Sequence, residues 1–162
     1  MSRRSNCPTR PSLEAFVKGQ GIKLLDLDAL LKTADYVSLH CPLTDETLGM
    51  IDREKFALMK PGASLVNTAR GSLVVEGDLV DALQSGQIGS AELDVFEQEP
   101  TAADNPLFEL DNVIVSPHVA GLDDLLAKAI RTEAANCIVS LYRGEWPAGA
   151  VVNDELKGRW RW

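Results

Sequence analysis

Residues 64–95 read SLVNTARGSLVVEGDLVDALQSGQIGSAELDV, and the periodicity changes twice along them. Ser64-Leu65-Val66-Asn67-Thr68 is a short apolar run of the kind that forms a buried strand. Val75, Leu79, Val80 and Leu83 then recur at helical spacing, and Gly86 follows as a stop. Ala91 to Val95 returns to a strand-like run. Strand, helix and strand in so short a stretch form a βαβ unit. Its two strands lie parallel, because the helix carries the chain back to the edge where the first strand began.

The same alternation continues on both sides. Towards the N-terminus, Tyr36-Val37-Ser38-Leu39-His40 is a strand-like run ended by Cys41-Pro42. Asp26 is placed to cap a short helix through Leu27, Leu30 and Leu31, and Asp52 to cap another containing Phe56 and Met59. Lys60-Pro61-Gly62 ends the second. Towards the C-terminus, Val113-Ile114-Val115-Ser116 makes a fourth strand, and a long helix is expected from about Asp123 to Tyr142. Its apolar positions are Leu126, Ile130, Cys137, Ile138 and Leu141, and Gly144 closes it. Residues 1–10 are polar with little apolar content and read as a frayed start. The fold class is therefore α/β, with a parallel sheet of the doubly wound kind.

Right-handed crossovers put the C-terminal ends of all parallel strands on one edge, and ligands bind in the crevice beyond that edge. Polar residues with chemistry to offer should therefore follow each strand, and they do. The loops carry His40-Cys41-Pro42, then Thr68-Ala69-Arg70-Gly71, then Asp94 with Glu97-Gln98-Glu99-Pro100, then Pro117-His118-Val119-Ala120-Gly121. A histidine paired with a carboxylate is an acid/base device, since the carboxylate orients the ring and stabilises its protonated form. An arginine beside it grips a substrate carboxylate through two parallel hydrogen bonds. Plainer readings stand next to these. A histidine at a strand end is often a hydrogen-bonded structural residue, Arg70 has the look of a surface ion-pair partner, and Glu97-Gln98-Glu99 is by default a solvated loop. Gly71 and Gly121 allow backbone to approach a ligand closely, although glycines often only make turns. His40 and Cys41 are adjacent, but no spacing of Cys and His supplies the three or four convergent ligands of a zinc site.

Four stretches, in this order, resemble the D-isomer-specific 2-hydroxyacid dehydrogenases. They are Val37-Ser38-Leu39-His40-Cys41-Pro42-Leu43-Thr44, Asn67-Thr68-Ala69-Arg70-Gly71, Leu93-Asp94-Val95-Phe96-Glu97-Gln98-Glu99-Pro100 and Ser116-Pro117-His118-Val119-Ala120-Gly121. The resemblance runs from about Leu24 to Asn153. It implies the second half of a Rossmann-type dinucleotide-binding domain with a long C-terminal helix, and a cofactor that is NAD or NADP. It implies hydride transfer between NAD(P)H and a small 2-oxo or 2-hydroxy acid. By the same resemblance His118 is the general acid/base, Glu99 its partner, and Arg70 the group that binds the substrate carboxylate and polarises the carbonyl. Asp94 would contact the nicotinamide carboxamide. Cys41, Thr68, Ala69, Arg70, His118 and Gly121 would line the cofactor cleft. Family members are commonly dimers, so a homodimer is implied too. Three positions depart from the family's pattern. Asp123 stands where a threonine is common, Val75 where an aspartate is common, and Glu92 where a small apolar residue is usual. A carboxylate inside a strand is costly unless it is solvated or paired.

The bulk properties narrow the alternatives. The 162 residues carry a net charge of −8, with 45% hydrophobic and 25% charged residues, an ordinary balance for a single globular domain. A surface this acidic argues against nucleic acid as partner, and Arg3-Arg4 and Arg159-Trp160-Arg161-Trp162 are too short to alter that. No run of about 18 apolar residues reads as a membrane helix. The basic start has no apolar stretch after it and is not a secretory signal. Cys7, Cys41 and Cys137 are scattered and odd in number, which suits a reducing compartment, and the expectation is cytoplasmic. The expected organisation is an ill-defined segment over 1–23, a partial dinucleotide domain over 24–144 and a tail over 145–162. The G-x-G-x-x-G phosphate fingerprint does not occur, and the close pair Gly19 and Gly21 does not complete it. In the family that motif precedes the region seen here. The chain is therefore expected to be truncated and a poor catalyst by itself. The competing expectation is a non-catalytic dinucleotide-binding or interaction module, similar to the family's corepressor branch, or a remnant.

Overall fold

The computed structural model describes residues 20–160. Cys7, Gly19, the Arg3-Arg4 pair, the start over 1–10 and the final Arg161-Trp162 lie outside the described residues. The described residues group into two compact units, Leu25–Gly121 and 122–160 with 20–24. The long helix thus belongs with the C-terminal segment, whereas the expected domain ran on to residue 144.

The first unit is built on a four-stranded parallel sheet, β1 (Tyr36–Leu39), β2 (Ala63–Asn67), β3 (Ile88–Leu93) and β4 (Val113–Val115). The strands stand side by side in sequence order. Sequential order without reversal is one half of a doubly wound sheet, as a reversal would need strands on the far side of β1. Helix α1 (Leu27–Thr33) precedes β1, α2 (Arg53–Leu58) joins β1 to β2, and α3 (Glu76–Gln84) joins β2 to β3. A short 3₁₀ turn, Pro106–Glu109, lies on the way to β4.

Local chemistry sets the helix starts. Asp26 accepts from the Ala29 N–H at 2.8 Å and Asp52 from the Lys55 N–H at 3.0 Å, so both expected caps form. Val75 occupies the cap of α3 and offers no side-chain acceptor there.

Strand alternation makes the core. Val37, Leu65, Ala91 and Val113 lie in one row across the sheet, and Leu39, Asn67, Leu93 and Val115 in the next. This face packs with Leu31 of α1, Phe56 of α2 and Leu79 and Leu83 of α3, all buried. The opposite face carries the row Ser38, Val66, Glu92 and Ile114. Glu92, unexplained by the sequence, points to this second face. One of its oxygens lies 3.4 Å from the Ser90 hydroxyl, and Oε2 is buried without a hydrogen-bond partner among the described residues. Strand β3 begins earlier than the apolar run suggests, at Ile88, with an irregularity in register opposite Ala63 and Ser64. Gly89 fits there because a Cβ would sit 2.6 Å from the Gly62 carbonyl oxygen.

The second unit contains α4 (Asp124–Tyr142), capped by Asp123, which accepts from the N–H groups of Leu125 and Leu126. Aspartate serves this cap fully in place of the family's threonine. No residue of α4 is buried, so its apolar stripe is not core. Among the described residues no helix is long and apolar enough to cross a membrane.

Candidate active site

The four loops at the C-terminal ends of the strands all belong to the first unit. The loop after β2 is shaped by Asn67, the last strand residue, whose side chain turns inward and is fully buried. Its Oδ1 accepts from the Ala69 N–H at 3.1 Å, and its amide donates to the Arg70 carbonyl at 2.9 Å. This side-chain turn presents Arg70 outward. The guanidinium is exposed and donates to the Ala69 carbonyl at 2.5 Å.

Gly71 follows, and its reason differs from the one its sequence suggested. A Cβ there would fall 1.9 Å from the carbonyl carbon and oxygen of Phe96. The close approach is therefore to another loop of the protein, not to a ligand. It brings the Arg70 loop into contact with the segment that carries Glu99. Gly121, by contrast, has open space where a Cβ would stand.

The loop after β4 holds His118 in left-handed backbone, with φ +55°, an uncommon state for a residue with a side chain. Asp94 over-determines it. The Asp94 carbonyl accepts from the His118 N–H at 2.8 Å. Its carboxylate accepts from the Ser116 hydroxyl at 2.5 Å and from the N–H groups of Val119 at 2.8 Å and Ala120 at 2.9 Å. Burial alone would push the Asp94 carboxyl up. The Ser116 hydroxyl and the two N–H donors outweigh it and hold the group below its ordinary value. Asp94 was expected to face the nicotinamide. In this structure its carboxylate accepts the three bonds of this clamp, and the residue is 3% exposed. Sequence reasoning missed both Asn67 and the clamp. The signal for Asn67 was present, since asparagine at the end of a strand commonly folds back onto the backbone two residues on.

The clamp aims the ring. His118 Nδ1 lies 2.9 Å from Glu99 Oε2, and Glu99 Oε1 accepts from the Phe96 N–H at 3.0 Å. The hydrogen bond from His118, then that from Phe96, keeps the Glu99 carboxyl below its ordinary value. Arg70 lies near enough to add to this electrostatically. With an ionised carboxylate on Nδ1, that nitrogen carries the proton, and Nε2 is left to exchange one with a ligand. Both side chains stay partly open to solvent, as proton exchange requires. A cavity of about 460 Å³ opens beside the pair, walled by Phe96, Pro100, Phe108 and Pro117. Phe96 and Phe108 meet edge to face, with centroids 5.8 Å apart.

Thr68 is exposed and Ala69 half-buried at the end of β2. Cys41, at the end of β1, is half-buried, with Sγ 3.5 Å from Met50 Sδ. Among the described residues no group of three or more His, Cys, Asp or Glu stands together to hold a metal.

The sequence matches, over residues 7–120, the family described as D-isomer specific 2-hydroxyacid dehydrogenase, NAD binding domain. It is 42% identical over 146 residues to a glyoxylate reductase of Korarchaeum cryptofilum, covering 90% of this chain and 44% of that protein. It is 44% identical over 142 residues to D-3-phosphoglycerate dehydrogenase of Mycobacterium tuberculosis, covering 84% of this chain and 27% of the relative. The fold resembles the crystal structure of D-lactate dehydrogenase from Aquifex aeolicus, complexed with NAD and lactic acid. There the TM-score is 0.72 at 38% identity, over 80% of this chain and 44% of that one. The chain thus spans less than half the length of these relatives.

Proposed function

The chain belongs to the D-isomer-specific 2-hydroxyacid dehydrogenases, as their NAD-binding domain, and from that premise we propose that it serves hydride transfer between NAD(P)H and a small 2-oxo acid. The observation that carries the reading is the Glu99–His118 pair at 2.9 Å, on the sheet edge that also presents Arg70.

The residues fit the nicotinamide end of a cofactor. Cys41, Thr68, Ala69 and the backbone after His118 stand at the ends of β1, β2 and β4, where a parallel sheet receives a dinucleotide. The bound cofactor supplies the hydride. Everything else falls to the protein. Arg70 leaves the Ala69 carbonyl and takes the substrate carboxylate through its paired N–H groups. His118 Nε2 gives its proton to the carbonyl oxygen of the substrate as C2 is reduced. In the oxidative direction the same nitrogen takes the proton back from the hydroxyl. Glu99 stabilises the charged ring and fixes the nitrogen that faces the substrate. Asp94 keeps the loop in the left-handed turn that makes this geometry available. A homodimer belongs to the same reading, and light scattering on the purified protein measures it.

The first test is a calorimetric titration of the 162-residue chain with NADH. Micromolar binding supports a preformed half-site. No binding at millimolar cofactor removes the cofactor part of the reading for this chain. Turnover is then measured with glyoxylate and hydroxypyruvate, together with His118→Ala. The acid/base reading expects weak turnover by the wild-type chain, lost in the variant with NADH binding kept. Equal rates in both would overturn the role of His118. An interaction module would keep its partner in the variant, but the intact Arg70, Glu99 and His118 favour the enzyme.

A further inference from the structure

Glu76 opens helix α3, and its side chain reaches two places far apart in sequence. Oε2 accepts from the backbone N–H of Glu97 at 3.1 Å, and Oε1 accepts from the side-chain amide of Asn105 at 2.6 Å. Glu97 and Asn105 are the two ends of the loop that carries Glu99. Asn105 is itself committed there, because its Oδ1 accepts from the Leu107 N–H at 2.9 Å and so starts the turn that bears Phe108. One carboxylate therefore closes loop 97–105 at both ends. The neighbouring anchor points are the Phe96–Gly71 approach and the Phe96 N–H on Glu99. Both lie at the loop's start. At its far end the Asn105 N–H donates to the Ala102 carbonyl at 3.1 Å and Leu107 is buried in the core, and Glu76 ties that end to the near one.

We infer that Glu76 is a positioning residue, which staples loop 97–105 and thereby holds Glu99 against His118. The inference rests on the acid/base reading of that pair. Without this tie between its ends, a loop of this length samples more backbone states, and a hydrogen bond within it is held for less of the time.

The test is an NMR titration of the 162-residue chain, following the Glu99 carboxyl carbon and the ring nitrogens of the histidines. The sequence has only two histidines, so His40 is an internal control. Glu99→Gln assigns the signals and sets the scale for loss of the pair. In Glu76→Ala, Glu99 titrates at higher pH than in the wild type, and the His118 ring nitrogens move at least halfway towards those of Glu99→Gln. His40 does not change. Glu76→Gln keeps an acceptor for Glu97 but sets an amide against the Asn105 amide, so it falls between. The direction is diagnostic. Removing the negative charge of Glu76 would by electrostatics alone move Glu99 downward. A folded Glu76→Ala with unchanged Glu99 and His118 signals overturns the inference. If that variant does not fold, an unchanged Glu76→Gln overturns it equally. Should Glu99→Gln itself leave the His118 nitrogens unmoved, the acid/base pair fails, and the staple with it. If only the Glu76 variants are silent, the pair stands and the staple alone falls.

Discussion

Asp94 shows how a single buried carboxylate organises the site. Its two oxygens accept from three donors, two on Oδ1 and one on Oδ2, and its ionised form is what the clamp requires. Asp94→Asn keeps the shape but turns an NH₂ towards N–H or O–H donors. It should cost about 2 kcal/mol in urea unfolding, since buried donors lose a charged acceptor. A cost near zero would mean that the loop around His118 is held by other contacts. Acid acts on the same residues. Asp94 and Glu99 both titrate below their ordinary range in the folded chain. Their contribution to stability is therefore fully present above the unfolded-state carboxylate range, and is lost as pH falls through the depressed folded values. Urea midpoints measured downward from about pH 6 should decline in the wild type and decline less steeply in Glu99→Gln. Parallel curves would remove Glu99 from the acid response.

At the scale of elements, the site depends on how closely two loops can approach. The loops after β2 and β3 meet where Gly71 lies against the Phe96 carbonyl, and no side chain fits between. Gly71→Ala must push one loop away. Overpacking of this kind costs roughly 1–3 kcal/mol or more. Thermal unfolding gives that cost, and the NMR signals of His118 should shift along with it. A variant as stable as wild type, with unchanged His118 signals, would show the contact to be loose. The sheet beneath is the rigid support. Leu65 of β2 is fully buried at the centre of its row, and Leu65→Ala should cost about 2–5 kcal/mol in urea unfolding, the range for a cavity in a packed core.

For the molecule as a whole, cofactor and fold should be coupled. A ligand that binds the folded chain alone stabilises it by about 2.7 kcal/mol at a hundredfold excess over Kd. NADH should therefore raise the thermal midpoint in proportion to the affinity found by calorimetry. Calorimetric binding without a thermal shift would place NADH on a surface that folding does not create. Much of this organisation was legible in the chain. Apolar runs such as 64–68 and 91–95 mark the strands, and the helical spacing of Leu79 and Leu83 marks the dry side of α3, so the strand and helix order followed from them. Val75, in the same spacing, caps that helix and is exposed. A parallel sheet then gathers the loops of Arg70, Glu99 and His118 on one edge. What remained hidden lies between segments distant in sequence. Asp94 reaches 25 and 26 residues to Val119 and Ala120, and Glu76 reaches 21 and 29 to Glu97 and Asn105. Gly71 answers to Phe96, and Glu92 turns to the sheet face away from the core. A periodic pattern encodes the face a residue occupies within its own element, so the sequence determined the elements and the edge they share. Which polar atom meets which depends on where folding brings two loops together, and that only the tertiary structure decided.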